Sequence, residues 1–110
     1  MAATCARFGW GVVIAGSLLG LAAAPGLAGG ESGRLETLLT EDCGACHGGR
    51  LKGGLGRPLL PELLADRTPD TLATIILDGI PGTAMPPWRG LLTADDAQWL
   101  AQRLLRGSSR

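Results

Sequence analysis

The stretch Cys43-Gly44-Ala45-Cys46-His47 constrains this chain more than any other feature. It reads C-x-x-C-H, the spacing at which one porphyrin can be attached covalently. Two thiols three positions apart on a helical turn can each add to one vinyl group of the same ring. The next residue, His47, then lies where its imidazole can serve as an axial ligand. A bare C-x-x-C would also suit a thiol–disulfide pair or half of a zinc site. The adjacent histidine, with no second C-x-x-C anywhere, favours haem c and its iron.

His47 is the only histidine, so a second imidazole is not available for the iron. Of the two methionines, Met1 is the initiator. Met85, in Gly82-Thr83-Ala84-Met85-Pro86-Pro87-Trp88, is the remaining soft donor. Histidine/methionine ligation raises a haem's reduction potential. A lone methionine is more often a filler of core gaps. Here it stands in a loop that Pro86 and Pro87 stiffen by fixing φ and removing backbone donors. Trp88, three residues on, is expected to cover a haem edge, and Trp99 to pack between helices.

The N-terminus reads as an address. Arg7 is the only charge before Glu31, and an apolar stretch runs from Gly9 to Ala24. That stretch is short of the ~20 residues that span a bilayer. Gly26-Leu27-Ala28 fits a small-x-small cleavage site, so residues 1–28 are expected to be a cleavable secretory signal and 29–110 the mature domain. An uncleaved anchor is the alternative. Removal of the leader takes Cys5 with it and leaves Cys43 and Cys46, as one covalent haem requires. The expected compartment is the periplasm, with no membrane insertion after cleavage.

A domain this short has difficulty burying enough apolar surface by itself, and a haem at its centre would supply the missing core. Ten basic residues balance ten acidic ones, which gives no sign of a nucleic-acid surface. Lys52 is the only lysine. Contact with a partner would then rest on apolar surface at the haem edge, with Arg50, Arg57 and Arg89 as orienting charges.

The pattern elsewhere is helical throughout. Leu35, Leu38 and Leu39 mark one apolar face of a helix over Arg34 to Asp42 that runs into the cysteines. Glycines 48, 49, 53, 54 and 56 form a turn that matches no phosphate-binding signature and suits close approach to a porphyrin. Pro58 follows. An iron-bound imidazole normally donates its other N–H to a carbonyl, and the Pro58 carbonyl is the expected acceptor. Leu59, Leu60, Leu63 and Leu64 would wall the haem, with a helical turn over Pro61 to Ala65. Thr68-Pro69-Asp70 starts a helix with Leu72, Ile75 and Ile76 on its buried face, and Gly79 ends it. Thr93-Ala94-Asp95-Asp96 resembles a capping box. The helix it opens carries Ala97, Leu100, Ala101, Leu104 and Leu105 on one face and closes at Gly107, with the last three residues fraying.

In this order, from Arg34 to Arg106, the segments resemble class I cytochromes c. The resemblance implies an all-α cytochrome c fold, three to four helices around one covalently bound haem, the first and last crossing near a right angle. It implies Cys43 and Cys46 as thioether donors, His47 and Met85 as axial ligands and the Pro58 carbonyl as imidazole acceptor. Leu51-Lys52-Gly53-Gly54-Leu55-Gly56 and the run from Ile76 to Trp88 resemble, more narrowly, small periplasmic cytochromes encoded with the cytochrome-type nitrite reductase of denitrifiers. Arg57 departs from the glycine common at that place. The expected role is a monomeric one-electron carrier, not an enzyme, passing electrons to nitrite reductase or to maturation of its haem d. Two alternatives stand beside it: an accessory factor in haem d biogenesis, and a ligand-binding sensor or enzyme with a displaceable methionine.

Overall fold

The computed structural model describes residues 28–107. The expected leader and the frayed end, Ser108 to Arg110, lie outside the described residues, apart from the final residue of the leader. Helix α1 (Ala28–Leu38) continues through a π-helical turn (Leu39–Cys43) into α2 (Gly44–His47) as one unbroken rod. A loop leads to α3 (Pro61–Leu64), then α4 (Pro69–Asp78), the methionine loop, and α5 (Ala94–Arg106). Among the described residues there is no strand, and no helix is long and apolar enough to cross a membrane.

The first helix begins earlier than its leucine spacing predicts. Gly29 and Gly30 are poor helix formers, but Glu31 favours the first turn and pairs with Arg34 one turn on. The π-helical turn is a second departure. The Gly44 N–H donates to the Leu39 carbonyl five residues back. Thr37 and Thr40 hydroxyls donate to the carbonyls of Gly33 and Glu36, back-bonding that loosens a helical ladder. Such extra-residue turns concentrate at functional sites, and this one hands the apolar face from Leu39 on to Cys43.

The ends of the later helices follow their local chemistry. The Thr71 N–H donates to the Thr68 hydroxyl at 3.1 Å, with Pro69 at the first helical position. The capping box of α5 is complete: Asp96 N–H donates to Thr93 Oγ1 at 3.1 Å, and Thr93 N–H to Asp96 Oδ2 at 2.9 Å. That backbone donor, together with the Thr93 side chain and Arg34, holds the Asp96 carboxyl below its ordinary range. A lowered folded-state pKa means stability that is present above the unfolded value of ~3.9 and lost as pH falls through the folded one. Thr93→Ala should therefore cost about 1 kcal/mol, read from the urea midpoint of the holoprotein, and make acid unfolding begin at higher pH.

One core joins these helices. Leu35 and Leu39 of α1 and its π turn, Leu72, Ala73 and Leu77 of α4, Leu92, and Ala97, Leu100, Ala101 and Leu104 of α5 are all buried. Ala97 and Ala101 are fully inaccessible, small residues that let neighbouring helices close on α5. Two ion pairs tie α1 to α5: Arg34 with Asp96 at 3.1 Å, and Arg103 with Glu36. Helix α4 lies along α5, and α3 also touches α5. The deep face of α4 is Leu72, Ala73 and Leu77, whereas Ile75 and Ile76 are only half-buried. The expected face is thus rotated: the small Ala73 is turned inward, while Asp70, Thr71, Thr74 and Asp78 stay exposed. Trp99 and Leu105 are partly buried against the same core.

Candidate functional site

His47 ends the rod, and the glycine-rich loop folds back over it. The Gly53 N–H donates to the His47 carbonyl and the Gly56 N–H to the Cys46 carbonyl, both at 2.8 Å. A Cβ on Gly56 would stand 2.8 Å from both Cε1 and Nδ1 of His47, and one on Gly54 would stand 2.8 Å from the Cys46 carbonyl oxygen. The glycines are therefore present because the loop backbone lies directly on the imidazole and on the cysteine carbonyl.

His47 Nδ1 donates to the Arg57 carbonyl at 2.6 Å. The expected acceptor was one residue further on, so Pro58 does not supply the carbonyl. The reason is steric: proline holds the residue before it extended, which sets the Arg57 carbonyl beside the ring. The Pro58 ring instead packs near Gly53, where an added Cβ would sit 3.1 Å from its Cγ. A carbonyl only accepts, so the bond places a proton on Nδ1 and leaves Nε2 as the ring's candidate ligand atom.

Of the two cysteines, Cys43 is half-buried and Cys46 exposed. Burial, and secondarily the neighbouring Asp42 carboxylate, push the Cys43 thiol up to about 11. Among the described residues no group of three or more His, Cys, Asp or Glu side chains gathers into a metal site, so a zinc reading has no further ligands to draw on.

The methionine loop is held by backbone bonds to α4. Gly79, at φ 67°, donates its N–H to the Ile75 carbonyl at 2.9 Å and turns the chain. A Cβ there would lie 2.7 Å from the Met85 carbonyl oxygen and from the Pro86 carbonyl carbon. The Ile80 N–H donates to the Met85 carbonyl at 3.2 Å, and the Trp88 N–H to the Leu77 carbonyl at 3.0 Å. Arg89 Nε donates to Asp78 at 2.9 Å, clasping the loop's exit to the end of α4. Met85 and Trp88 are both half-buried, and Trp88 packs against the core.

Four large apolar side chains remain uncovered: Leu55 is 96% exposed, Leu91 72%, Leu63 50% and Ile80 45%. Of the four expected wall leucines, Leu59, Leu60 and Leu64 are half-buried and Leu63 is exposed. The residues fit a haem c. Two thiols stand at the attachment spacing, the imidazole keeps Nε2 available, and a thioether sits on a loop fixed by backbone bonds. Sequence reasoning missed the Arg57 acceptor and the contact between Gly79 and the methionine loop; the proline after Arg57 was the signal for the first.

The chain is similar to known proteins in sequence and in fold. A family model described as cytochrome C oxidase, cbb3-type, subunit III matches residues 31–102. A cytochrome c55X of Paracoccus denitrificans (strain Pd 1222) is 57% identical over 72 residues, which are 66% of this chain and 70% of that protein. The solved structure of a c-type cytochrome, NirC, superimposes with a TM-score of 0.67 at 52% identity, over 68% of this chain and 88% of that one. A dihydro-heme d1 dehydrogenase, NirN, solved in complex with DHE, superimposes with a TM-score of 0.63 at 37% identity, over 68% of this chain but 16% of its own.

Proposed function

The chain belongs to the c-type cytochromes, and from that premise we propose that it carries single electrons on one haem c in the periplasm of a denitrifying bacterium. The proposed attachment is through Cys43 and Cys46, with His47 and Met85 as axial ligands. When bound, the haem supplies the one-electron couple. The chain's own residues do the rest. The Arg57 carbonyl orients the imidazole and strengthens its donor character by accepting a hydrogen bond from Nδ1–H. Gly56 keeps the loop close enough for that bond. Gly79, Asp78 and Arg89 hold the methionine loop, and the exposed apolar rim of Leu55, Leu63 and Ile80 would close over the ring and exclude water. Trp88 would flank its edge.

The observation that carries this reading is the 2.6 Å bond from His47 Nδ1 to the Arg57 carbonyl. It orients the imidazole with Nδ1 engaged, immediately after the two cysteines of the C-x-x-C-H run. Ligand residues held on backbone fixed by hydrogen bonds would keep reorganisation small, as a carrier needs. We further propose that the chain acts as a monomer, after cleavage of residues 1–28.

The partner is proposed from the company the fold keeps. Relatives named cytochrome c55X and NirC favour transfer to the cytochrome-type nitrite reductase. A second reading has its own support: a stretch with this fold occupies 16% of a dihydro-heme d1 dehydrogenase. A dehydrogenase releases electrons, so this chain could receive them during maturation of haem d. The carrier reading separates from a sensor or enzyme by carbon monoxide. The reduced holoprotein should show no change in its visible spectrum under the gas at neutral pH. Rapid uptake would mean a displaceable methionine and sink the carrier reading.

A further inference from the structure

We infer that the groove between the loop after His47 and the C-terminal turn of α5 is a docking site for an acidic, leucine-bearing segment of a partner protein. The cavity holds about 780 Å³, within the ~300–1,000 Å³ that binding clefts occupy. No residue of α4 or of the methionine loop lines it, so it is separate from the proposed haem ligands.

Its floor is apolar and built from different elements, with Leu39 from the π-helical turn, Leu59 from the loop and Leu104 from α5. Leu39 and Leu104 are buried core residues. Its walls are preformed. The Leu59 N–H donates to the Leu51 carbonyl at 2.8 Å, which pins the two arms of the loop together. At the far end Gly107 closes on Pro61, leaving no room for a side chain: a Cβ would come within 2.7 Å of Pro61 Cγ.

The charge is segregated. Four of the chain's ten basic residues line this groove, against one of its ten acidic ones. That one, Glu36, is engaged by Arg103, which also donates to the Gly107 carbonyl at 2.7 Å. Arg50, Lys52 and Arg106 are exposed and make no ion pair among the described residues. The chain's net charge is zero, and screening over ~8 Å confines the positive field to an anion that enters. The three exposed cations come from two elements, Arg50 and Lys52 from the loop and Arg106 from the end of α5. They match carboxylates spaced along a polypeptide, whose apolar side chains would meet the leucine floor.

The groove's wall is also the loop whose Arg57 carbonyl orients His47, so an occupant bears on the segment that positions the imidazole. The test uses the holoprotein and a synthetic peptide of repeated leucine and glutamate pairs, with its glutamine analogue as control. Calorimetric titration should show the glutamate peptide binding roughly tenfold or more tightly than the analogue, as charge pairing at an interface would give. Replacing Arg50, Lys52 and Arg106 together by glutamine should erase that preference. Arg67→Gln should preserve it, because Arg67 pairs with its neighbour Asp66 and lies outside the groove. Amide shifts on binding should centre on residues 49–52 and 104–107. An unaffected triple variant, or shifts centred on the methionine loop, would overturn the inference. So would equal displacement by citrate, which assigns the groove to a small anion, or self-association lost in the triple variant, which assigns it to a second copy. Binding is read without turnover, so its failure leaves the carrier reading intact, and carbon monoxide uptake tests that reading without the groove.

Discussion

With Cys43 and Cys46 both changed to alanine, the haem should leave the protein in acidified organic solvent, and the chain it leaves behind should lose its cooperative fold. Ten residues form the buried core. In a domain of this size such a core supplies no more than ~3–5 kcal/mol. Against it stand Leu55, Leu63, Ile80 and Leu91, four large apolar side chains at least 45% exposed. A covalent haem under the proposed attachment offsets that deficit twice. It covers apolar surface, and its linkage keeps the cofactor from dissociating when the fold opens. Far-UV circular dichroism of the extracted double variant should show a weak helical signal with no sharp thermal transition. Single cysteine variants, each retaining one thioether, should keep their pigment. Colour that stays with the double variant after extraction would count against thioether attachment, and a sharp melt of the extracted chain would count against a haem-dependent core.

Much of this arrangement could be read from local chemistry alone, because its signals are short-range. Thr68-Pro69-Asp70 and Thr93 to Asp96 specify helix starts within four residues, and both caps are made as their side chains dictate. The buried face of α5 follows one helical period over Ala97, Leu100, Ala101 and Leu104. What depended on position in space was less legible. The π-helical turn at Leu39–Cys43 leaves the leucine spacing intact while adding one residue to the turn, so periodicity did not disclose it. The imidazole's acceptor was placed at Pro58 and lies at Arg57, a shift of one residue that follows from proline acting on its predecessor rather than on itself. The rotation of α4 towards Ala73 reflects which neighbour it meets, a choice that its exposed polar residues, Asp70, Thr71, Thr74 and Asp78, do not by themselves encode. In each case the element was set by its own residues and its register by what packs against it.

Gly79→Ala should remove methionine ligation from a protein that still contains Met85. The backbone at Gly79 has φ 67° and ψ −170°, a region all but reserved for glycine, where a Cβ costs ~1–3 kcal/mol in any surroundings. The larger effect is local. The new methyl would stand 2.7 Å from the Met85 carbonyl oxygen and 2.8 Å from the Pro87 nitrogen. Both are backbone atoms, so no side chain can rotate aside, and the loop must move off α4. That movement breaks the 3.2 Å bond from the Ile80 N–H to the Met85 carbonyl and draws the sulfur away from its proposed place on the iron. The oxidised variant should lose the far-red methionine–iron charge-transfer band. Its reduction potential should fall by hundreds of millivolts, a large part of the ~0.8 V that axial ligands command, towards the value of Met85→Ala. Gly82→Ala separates sterics from strain. Gly82 also has positive φ, 78°, but a Cβ there meets nothing within 4 Å. That variant should keep its band and potential while losing ~1 kcal/mol of stability. A band retained in Gly79→Ala, or lost equally in Gly82→Ala, would mean that contact between Gly79 and the loop does not hold the sulfur in place.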